Sequence, residues 1–177
     1  LAYDFYIQKT GDQSLLGTAK RAAGFIINLQ TENGGIKGGP TIQWKSTEHN
    51  IASYFALSQL YRIAGDEKYS NAAEKVKNWI WNVAWNPDQG RFNTGENDEG
   101  WALDCQSLGA IFSASEGNLN VATSSLKAAI DHFEIYKIIH GFDSYDDRDN
   151  VWLEGTGQMV FAYAKIGDLT MANYYLA

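Results

Sequence analysis

The chain has 177 residues with 21 acidic and 14 basic side chains, so its formal net charge is −7. Its hydrophobic fraction of 45% and charged fraction of 20% are typical of a globular domain and exclude a disordered chain. The acidic balance argues against sequence-independent nucleic-acid binding, no apolar run approaches a membrane span, and the single Cys105 excludes a disulfide framework or a multi-thiolate zinc site.

The two ends of the sequence suggest a piece of a longer polypeptide. The chain starts at Leu1, which is not an initiator Met, and it stops at Ala177 within an apolar pattern. We therefore expect residues 1–177 to form a single domain that is a fragment of a longer chain. The compartment stays open between a secreted or periplasmic and a cytoplasmic bacterial location, because any signal peptide would already be gone.

A short motif recurs four times along the chain. A tyrosine followed by a Gly-Asp pair occurs three times, and a weaker Gly-Asn copy lies between the second and the third. The glycines are at positions 11, 65, 117 and 167, at spacings of 54, 52 and 50 residues. A glycine commonly ends a helix, and Asp or Asn commonly caps the next one, so each copy predicts a turn between two helices.

Apolar residues recur with helical spacing on both sides of each turn. The helices after the turns, at about residues 14–30, 68–84 and 119–136, carry Lys, Arg and Glu on one face. The helices before the turns, at about residues 46–64, 102–115 and 153–166, hold few charges outside their first turns. We therefore predict an all-α protein, an α/α toroid in which inner helices alternate with outer ones.

Long connections lead from each outer helix to the next inner helix. They cover residues 31–45, 86–100 and 137–151, and loops of about 15 residues without secondary structure are uncommon unless they are functional or disordered. All three are expected at the same end of the toroid, above the N-termini of the inner helices. The sequence therefore predicts a functional cleft at that end.

Each inner helix begins with a tryptophan followed by a carboxylate and by amide or hydroxyl side chains. Indole rings stack on the apolar faces of sugars, and polar side chains bind sugar hydroxyls. Glycoside hydrolysis needs two carboxyl groups, and like charges in a cleft raise the pKa of one of them. The candidate catalytic residues are Glu48, Asp104 and Glu154, and the candidate substrate-binding residues are Trp44, His49, Asn50, Trp101, Gln106, Trp152 and Thr156.

Structural explanations compete with these assignments. Acidic residues in a first turn are favoured by the helix dipole and by capping, and a tryptophan at a loop–helix junction commonly packs in the core. The acidic loops at residues 93–100 and 143–150 have enough oxygens for Ca²⁺, although neither has the EF-hand spacing. One alternative is that both loops are acidic only because they are exposed to solvent. Another is that Asp98 or Glu99, in the first of these loops, supplies a catalytic carboxylate. No other cofactor and no catalytic metal is expected.

The sequence resembles the six-hairpin glycosidase superfamily of (α/α)6 toroids. The resemblance rests on the hairpins of about 50 residues and on the segments STEHN at 46–50, YFAL at 54–57 and WLEGT at 152–156. It implies a six-hairpin barrel with a saccharide cleft at the N-termini of the inner helices. This chain would supply about three and a half hairpins, and self-association or additional chain segments would cover its apolar flanks.

The favoured hypothesis is a glycoside hydrolase that acts on an oligo- or polysaccharide, with inversion at the anomeric carbon. The alternatives are a non-catalytic carbohydrate-binding or scaffold toroid, a protein-interaction solenoid, and a polysaccharide lyase or sugar epimerase on the same fold. An epimerase would need a histidine pair, whereas the three histidines are scattered at 49, 132 and 140. The expected partner is a carbohydrate, with no nucleic acid and no membrane.

Overall fold

The computed structural model describes residues 1–137 and 139–177, and the described part is mainly helical. A 3-10 turn, Gln13–Leu15, precedes α2, and a π-helical turn, Ile80–Ala84, follows α4. The helices are α1 Ala2–Thr10, α2 Leu16–Asn28, α3 Thr47–Ala64, α4 Glu67–Trp79, α5 Leu103–Ser115, α6 Leu119–Phe133, α7 Leu153–Ile166 and α8 Leu169–Leu176. The predicted all-α class is confirmed, and none of the described helices is long and apolar enough to cross a membrane.

The four turns of the repeated motif have the predicted construction. Their glycines all adopt left-handed φ angles, from 67° at Gly65 to 87° at Gly167, a conformation that costs other residues energy. The next side chain then caps the following helix, since the side chain of Asp66 accepts the N–H of Lys68 at 3.1 Å. Asp12, Asn118 and Asp168 accept backbone N–H groups in the same way.

The chain divides into two compact units, residues 1–83 and 84–177, each with its own core. In the first unit, α3 packs against α4, and Ile51, Leu57 and Val76 are almost completely buried. In the second unit, α5 packs against α6 and α7, α7 packs against α8, and Phe112 and Met159 are completely buried. The single domain expected over residues 1–177 remains a prediction.

Short antiparallel strand pairs that the sequence did not predict lie at the second and third long connections, and residues 134–136, predicted as the end of an outer helix at about 119–136, form a strand instead. Strand β1 (Trp85–Asn86) pairs with β2 (Arg91–Phe92), and β3 (Glu134–Tyr136) pairs with β4 (His140–Phe142). In the first connection a single bridge joins Gln30 to Ile36. The expectation of loops without secondary structure was therefore wrong. Strands of two or three residues are too short to produce a readable alternation of polar and apolar residues. Residue 138, inside the third predicted loop, lies outside the described residues.

Candidate active site

A cavity in the second unit lies between the first turn of α5 and the acidic loop that leads to α7. Its volume is about 540 Å³, which lies within the range of small-molecule binding sites. Four aspartates and an indole contribute to its wall: Asp104, Asp143, Asp147, Asp149 and Trp152. The cavity therefore combines several carboxylates with one aromatic surface.

Asp143 organises the acidic loop. Its side chain is buried and accepts backbone N–H groups from Ser144 at 2.6 Å, Asp149 at 2.8 Å and Asn150 at 3.1 Å. Burial alone would raise the pKa of Asp143, but the hydrogen bonds from Asn150, Ser144 and Asp149 outweigh it, and the net pKa lies below its ordinary value. Asp143 thus remains ionised and holds the loop backbone in place.

Asp147 has the opposite electrostatic environment. Desolvation raises its pKa, and the negative charges of Asp149 and Asp143 raise it further. Oxygens of these three carboxylates lie within 4.8 Å of one another. Two neighbouring carboxyl groups with pKa values shifted in opposite directions are the usual arrangement for acid–base work.

The same three carboxylates are the group best suited to hold a cation among the described residues. Asp143 is buried, whereas Asp147 and Asp149 are exposed. An all-oxygen set of this kind suits a hard ion such as Ca²⁺. Exposed acidic groups are also common without any ion, so Ca²⁺ binding here remains a prediction.

Two of the predicted site residues, Asp104 and Trp152, line this cavity together. Asp104 lies in the first turn of α5, and Trp152 is the residue that precedes α7. The ring of Trp152 lies over Gly155, where an added Cβ would come within 2.2 Å of the ring. Glu154 is exposed in the first turn of α7, but it is not part of the cavity wall.

Trp101 lies at a different hollow from Trp152. The guanidinium carbon of Arg91 lies 4.1 Å from its ring centroid, and the imidazole of His132 stacks on it with a centroid distance of 3.5 Å. The hollow beside it has a volume of about 270 Å³ and also contacts Lys127 and Asp131. Arg91 and His132 both contact the indole of Trp101, and its predicted contact with substrate stays a prediction.

Asn50, Gln106 and Thr156 have buried side chains that hold loop backbone. The amide of Gln106 accepts the N–H of Phe92 at 3.0 Å and donates to its carbonyl at 2.7 Å. The amide of Asn50 makes the same pair of bonds to the backbone of Ile36, and the hydroxyl of Thr156 accepts the N–H of Phe142. The backbone partners each lie 14 residues upstream, at Ile36, Phe92 and Phe142. These residues therefore position the long connections, and their predicted contact with substrate stays a prediction.

The remaining predicted residues belong to the first unit. Trp44 is exposed, and Glu48 and His49 follow it in the first turn of α3. The side chains of Glu48 and His49 are 42% and 60% exposed, and their nearest polar atoms are 3.7 Å apart. They form an accessible polar group, and the convergence of Glu48 with Asp104 and Glu154 stays a prediction.

Arg91 is a positioning residue that the sequence did not reveal. It is buried, and its guanidinium donates to the carbonyls of Glu99 at 2.7 Å and Gly100 at 3.0 Å and to the side chain of Gln89 at 2.7 Å. Burial lowers its pKa. Arg91 thereby holds in place the loop that carries Asp98. In the sequence Arg91 belongs to no motif, so nothing there indicates its positioning role.

Comparisons with known proteins support the fold. No known family model matches the chain, and no curated protein sequence matches it. A sugar epimerase from a ruminal bacterium matches with a TM-score of 0.68 and 18% identity, over 98% of this chain and 54% of that one. A family 76 glycoside hydrolase (mannosidase) from Bacteroides thetaiotaomicron matches with a TM-score of 0.59 and 15% identity, over 80% of this chain and 44% of that one.

A third structure is an inactive variant of an α-1,6-mannanase of Salegentibacter in complex with α-1,6-mannotriose. It matches with a TM-score of 0.49 and 13% identity, over 92% of this chain and 67% of that one. The chain spans about half the length of the epimerase and of the mannosidase. It has the fold of the six-hairpin glycosidase superfamily, an α/α toroid of helical hairpins.

Proposed function

We propose that this chain forms part of a carbohydrate-active enzyme that hydrolyses glycosidic bonds in the cavity beside α5. The observation that carries the proposal is the composition of the cavity wall, where Trp152 faces the same space as Asp104 and the acidic loop. An indole provides a surface for the apolar face of a sugar, and the carboxyl groups provide acid–base chemistry. The fold shared with a mannosidase and a sugar epimerase supports the same class of substrate.

In this proposal Asp147 is the general acid. Its raised pKa keeps a larger fraction protonated than an ordinary aspartate has, so it can donate a proton to the glycosidic oxygen. Asp104 is the partner that activates water or attacks the anomeric carbon. Asp143 positions the loop, since its oxygens are occupied by backbone N–H groups.

The stereochemical outcome depends on which carboxylate is the partner of Asp147. Inverting enzymes separate their carboxyl groups by roughly 6.5–9.5 Å to admit a water, and retaining enzymes by roughly 5–5.5 Å. One oxygen from each of Asp143, Asp147 and Asp149 lies within 4.8 Å of the others, so these three carboxyl groups are close together. The proposed pair is Asp104 and Asp147, which both line the cavity, and the anomeric configuration of the product, measured by NMR, distinguishes inversion from retention.

The test is release of reducing ends from a panel of α-mannan, β-mannan, cello-oligosaccharides and chito-oligosaccharides. We expect Asp104→Asn and Asp147→Asn each to lower kcat by about 100-fold or more, because each removes one partner of the acid–base pair. Glu154→Gln is the matched control, since Glu154 lies outside the cavity wall, and it should retain activity. Full activity in both aspartate variants would refute the site assignment.

A sugar epimerase is the second candidate, because the structure with the TM-score of 0.68 is one. None of the histidines in the described part of the chain lines the cavity, which favours hydrolysis. Product analysis by NMR separates the two, since an epimerase changes a sugar's configuration without releasing a new reducing end. Binding without any turnover would instead indicate a non-catalytic carbohydrate-binding toroid.

A further inference from the structure

The wall of the cavity beside α5 carries more negative charge than the proposed reaction uses. Asp104 and Asp147 form the acid–base pair, and the oxygens of Asp143 are engaged by backbone N–H groups. Asp149 also lines the cavity and is exposed, and the amide of Asn150 donates to only one of its oxygens, at 2.5 Å. Because glycoside hydrolysis needs only two carboxyl groups, catalysis leaves the charge of Asp149 without a function.

None of the basic side chains in the described part of the chain lines this cavity. The two bases that are closest to its acidic loop bind main-chain carbonyls instead. The guanidinium of Arg148 donates to the carbonyl of His132 at 2.7 Å and to that of Asp131. Nζ of Lys137 donates to the carbonyls of Arg148 at 3.2 Å and Asp149 at 3.0 Å. A cation that balances the carboxylates of the wall must therefore come from a ligand.

The charge of the wall ranks ligands by their own charge. Desolvation raises the pKa of Asp147, and the negative charges of Asp149 and Asp143 raise it further, which shows that these groups repel one another. A cationic ligand relieves this repulsion, whereas a uronic acid or a sugar phosphate adds to it. The cavity should therefore prefer cationic over neutral ligands and neutral over anionic ones.

The lining of the cavity favours an organic cation over a metal ion. Its volume of about 540 Å³ is that of a small-molecule site, and the indole of Trp152 offers a surface for the apolar face of a sugar ring. An indole also attracts an ammonium group. The positively charged group that a saccharide can carry is a protonated amine, so the favoured ligand is an amino sugar.

On the basis of the proposed function, we propose that the saccharide bound in this cavity carries a free, protonated amino group and that Asp149 selects it. The transition state of glycoside hydrolysis carries positive charge at the anomeric carbon, and an ammonium group on the same ring adds to that charge. A carboxylate beyond the acid–base pair offsets the added charge. Asp149 is thus a specificity-determining residue for glucosamine-type sugars without an N-acetyl group.

The test is calorimetric binding to the full chain, in EDTA and at mildly acidic pH. The probes are both methyl glycoside anomers of glucosamine, mannosamine and galactosamine, each beside its N-acetylated and its parent hydroxyl counterpart. These counterparts differ only in the charged substituent. We expect at least one amino sugar to bind roughly 5-fold or more tightly than its two counterparts. The preference should shrink in about 1 M NaCl, and it should disappear above the pKa of the sugar amine.

Asp149→Asn should reduce this preference to less than about 2-fold, because it removes the charge but keeps the oxygen that accepts the amide of Asn150. Asp146→Asn is its control. It removes the same charge from an exposed position of the same loop, but Asp146 does not line the cavity, so the preference should persist. A preference that survives Asp149→Asn would overturn the role of Asp149.

The outcomes separate this inference from the proposed function. Equal binding of amino sugars and their neutral counterparts would overturn the inference and leave the hydrolase proposal standing. Selective binding of amino sugars without release of reducing ends from their oligomers would support the inference and refute hydrolysis. Absence of binding by every probe would overturn both. Tight Ca²⁺ binding that Asp149→Asn abolishes, with no preference among the sugars, would overturn the inference in favour of a metal ion.

Discussion

At the scale of single residues, the aspartates around the cavity differ in chemistry because their surroundings differ. Asp143 accepts three backbone N–H groups, whereas Asp147 is exposed beside two other carboxylates. The sequence marked this loop as a cluster of oxygens but did not separate the two roles. The distinction depends on which aspartate side chain is buried, and a run of neighbouring aspartates in the sequence does not indicate which one it is.

The raised pKa of Asp147 predicts where the activity falls on the alkaline side of the pH profile. A general acid loses activity as the pH rises through its pKa, and an ionised partner loses activity as the pH falls through its own pKa. Because the pKa of Asp147 is raised, the fall in activity on the alkaline side of the pH profile (its alkaline limb) should occur above the pKa of an ordinary aspartate. A pH profile of kcat/KM measures this, and Asp147→Asn should remove that limb. An alkaline limb that is unchanged in this variant would exclude Asp147 as the acid.

Protonation of Asp143 should release the acidic loop. Its folded-state pKa is lowered, so its stabilising hydrogen bonds are fully present above the unfolded-state pKa and are lost as the pH falls through the folded-state value. Amide exchange at Asp149 and Asn150 should accelerate at that pH, as measured by NMR. Asp143→Asn should accelerate the same amides at neutral pH, whereas Asp88→Asn, at an exposed position, should not. Exchange that is independent of pH would contradict the assigned role.

The buried amide of Gln106 should be essential to stability. Gln106→Ala removes the two hydrogen bonds that the side chain makes to the backbone N–H and carbonyl of Phe92 in a buried environment. We expect a loss of about 2–4 kcal/mol in the free energy of unfolding, measured by urea denaturation. Asn120→Ala, at an exposed position on α6, is the control and should change it by less than about 0.5 kcal/mol. A loss of stability no larger than that of the control would refute the role of Gln106 in holding the backbone of Phe92.

At the scale of elements, the helices followed from local rules. The predicted inner helices at residues 46–64, 102–115 and 153–166 agree with α3, α5 and α7 to within one residue at either end. Glycine turns, caps and apolar spacing act over short distances along the chain, so the sequence alone reveals them. The strand pairs escaped prediction because buried side chains on a following helix, 14 residues downstream, hold them in place.

Two glycines on α7 provide a matched test of packing. Gly155→Ala would bring a Cβ within 2.2 Å of the Trp152 ring, so we expect a loss of about 1–3 kcal/mol in stability and a displaced indole. Gly157→Ala meets no atom within 4 Å and should stabilise the helix by about 0.5–1 kcal/mol. Thermal unfolding of the two variants measures both effects. Equal effects would show that the Trp152 ring is not held against α7.

At the scale of the whole molecule, the α/α-toroid fold was predictable because the four turns recur at near-constant spacing. The site was predictable only in part. Asp104 and Trp152 line one cavity, whereas Trp101 packs against other side chains. Every inner helix begins with similar residues, but the conformation of the loop backbone determines which of their side chains line a cavity. That backbone depends on contacts between segments far apart in sequence.

The central claim is that the saccharide binds in the cavity beside α5. Hydrogen exchange with and without the panel saccharide that binds most tightly tests it directly. We predict protection at residues 143–152 and in the first turn of α5, with no change at Trp44, Glu48 and His49. Protection confined to residues 42–49, or no protection anywhere in the presence of bound sugar, would contradict the account.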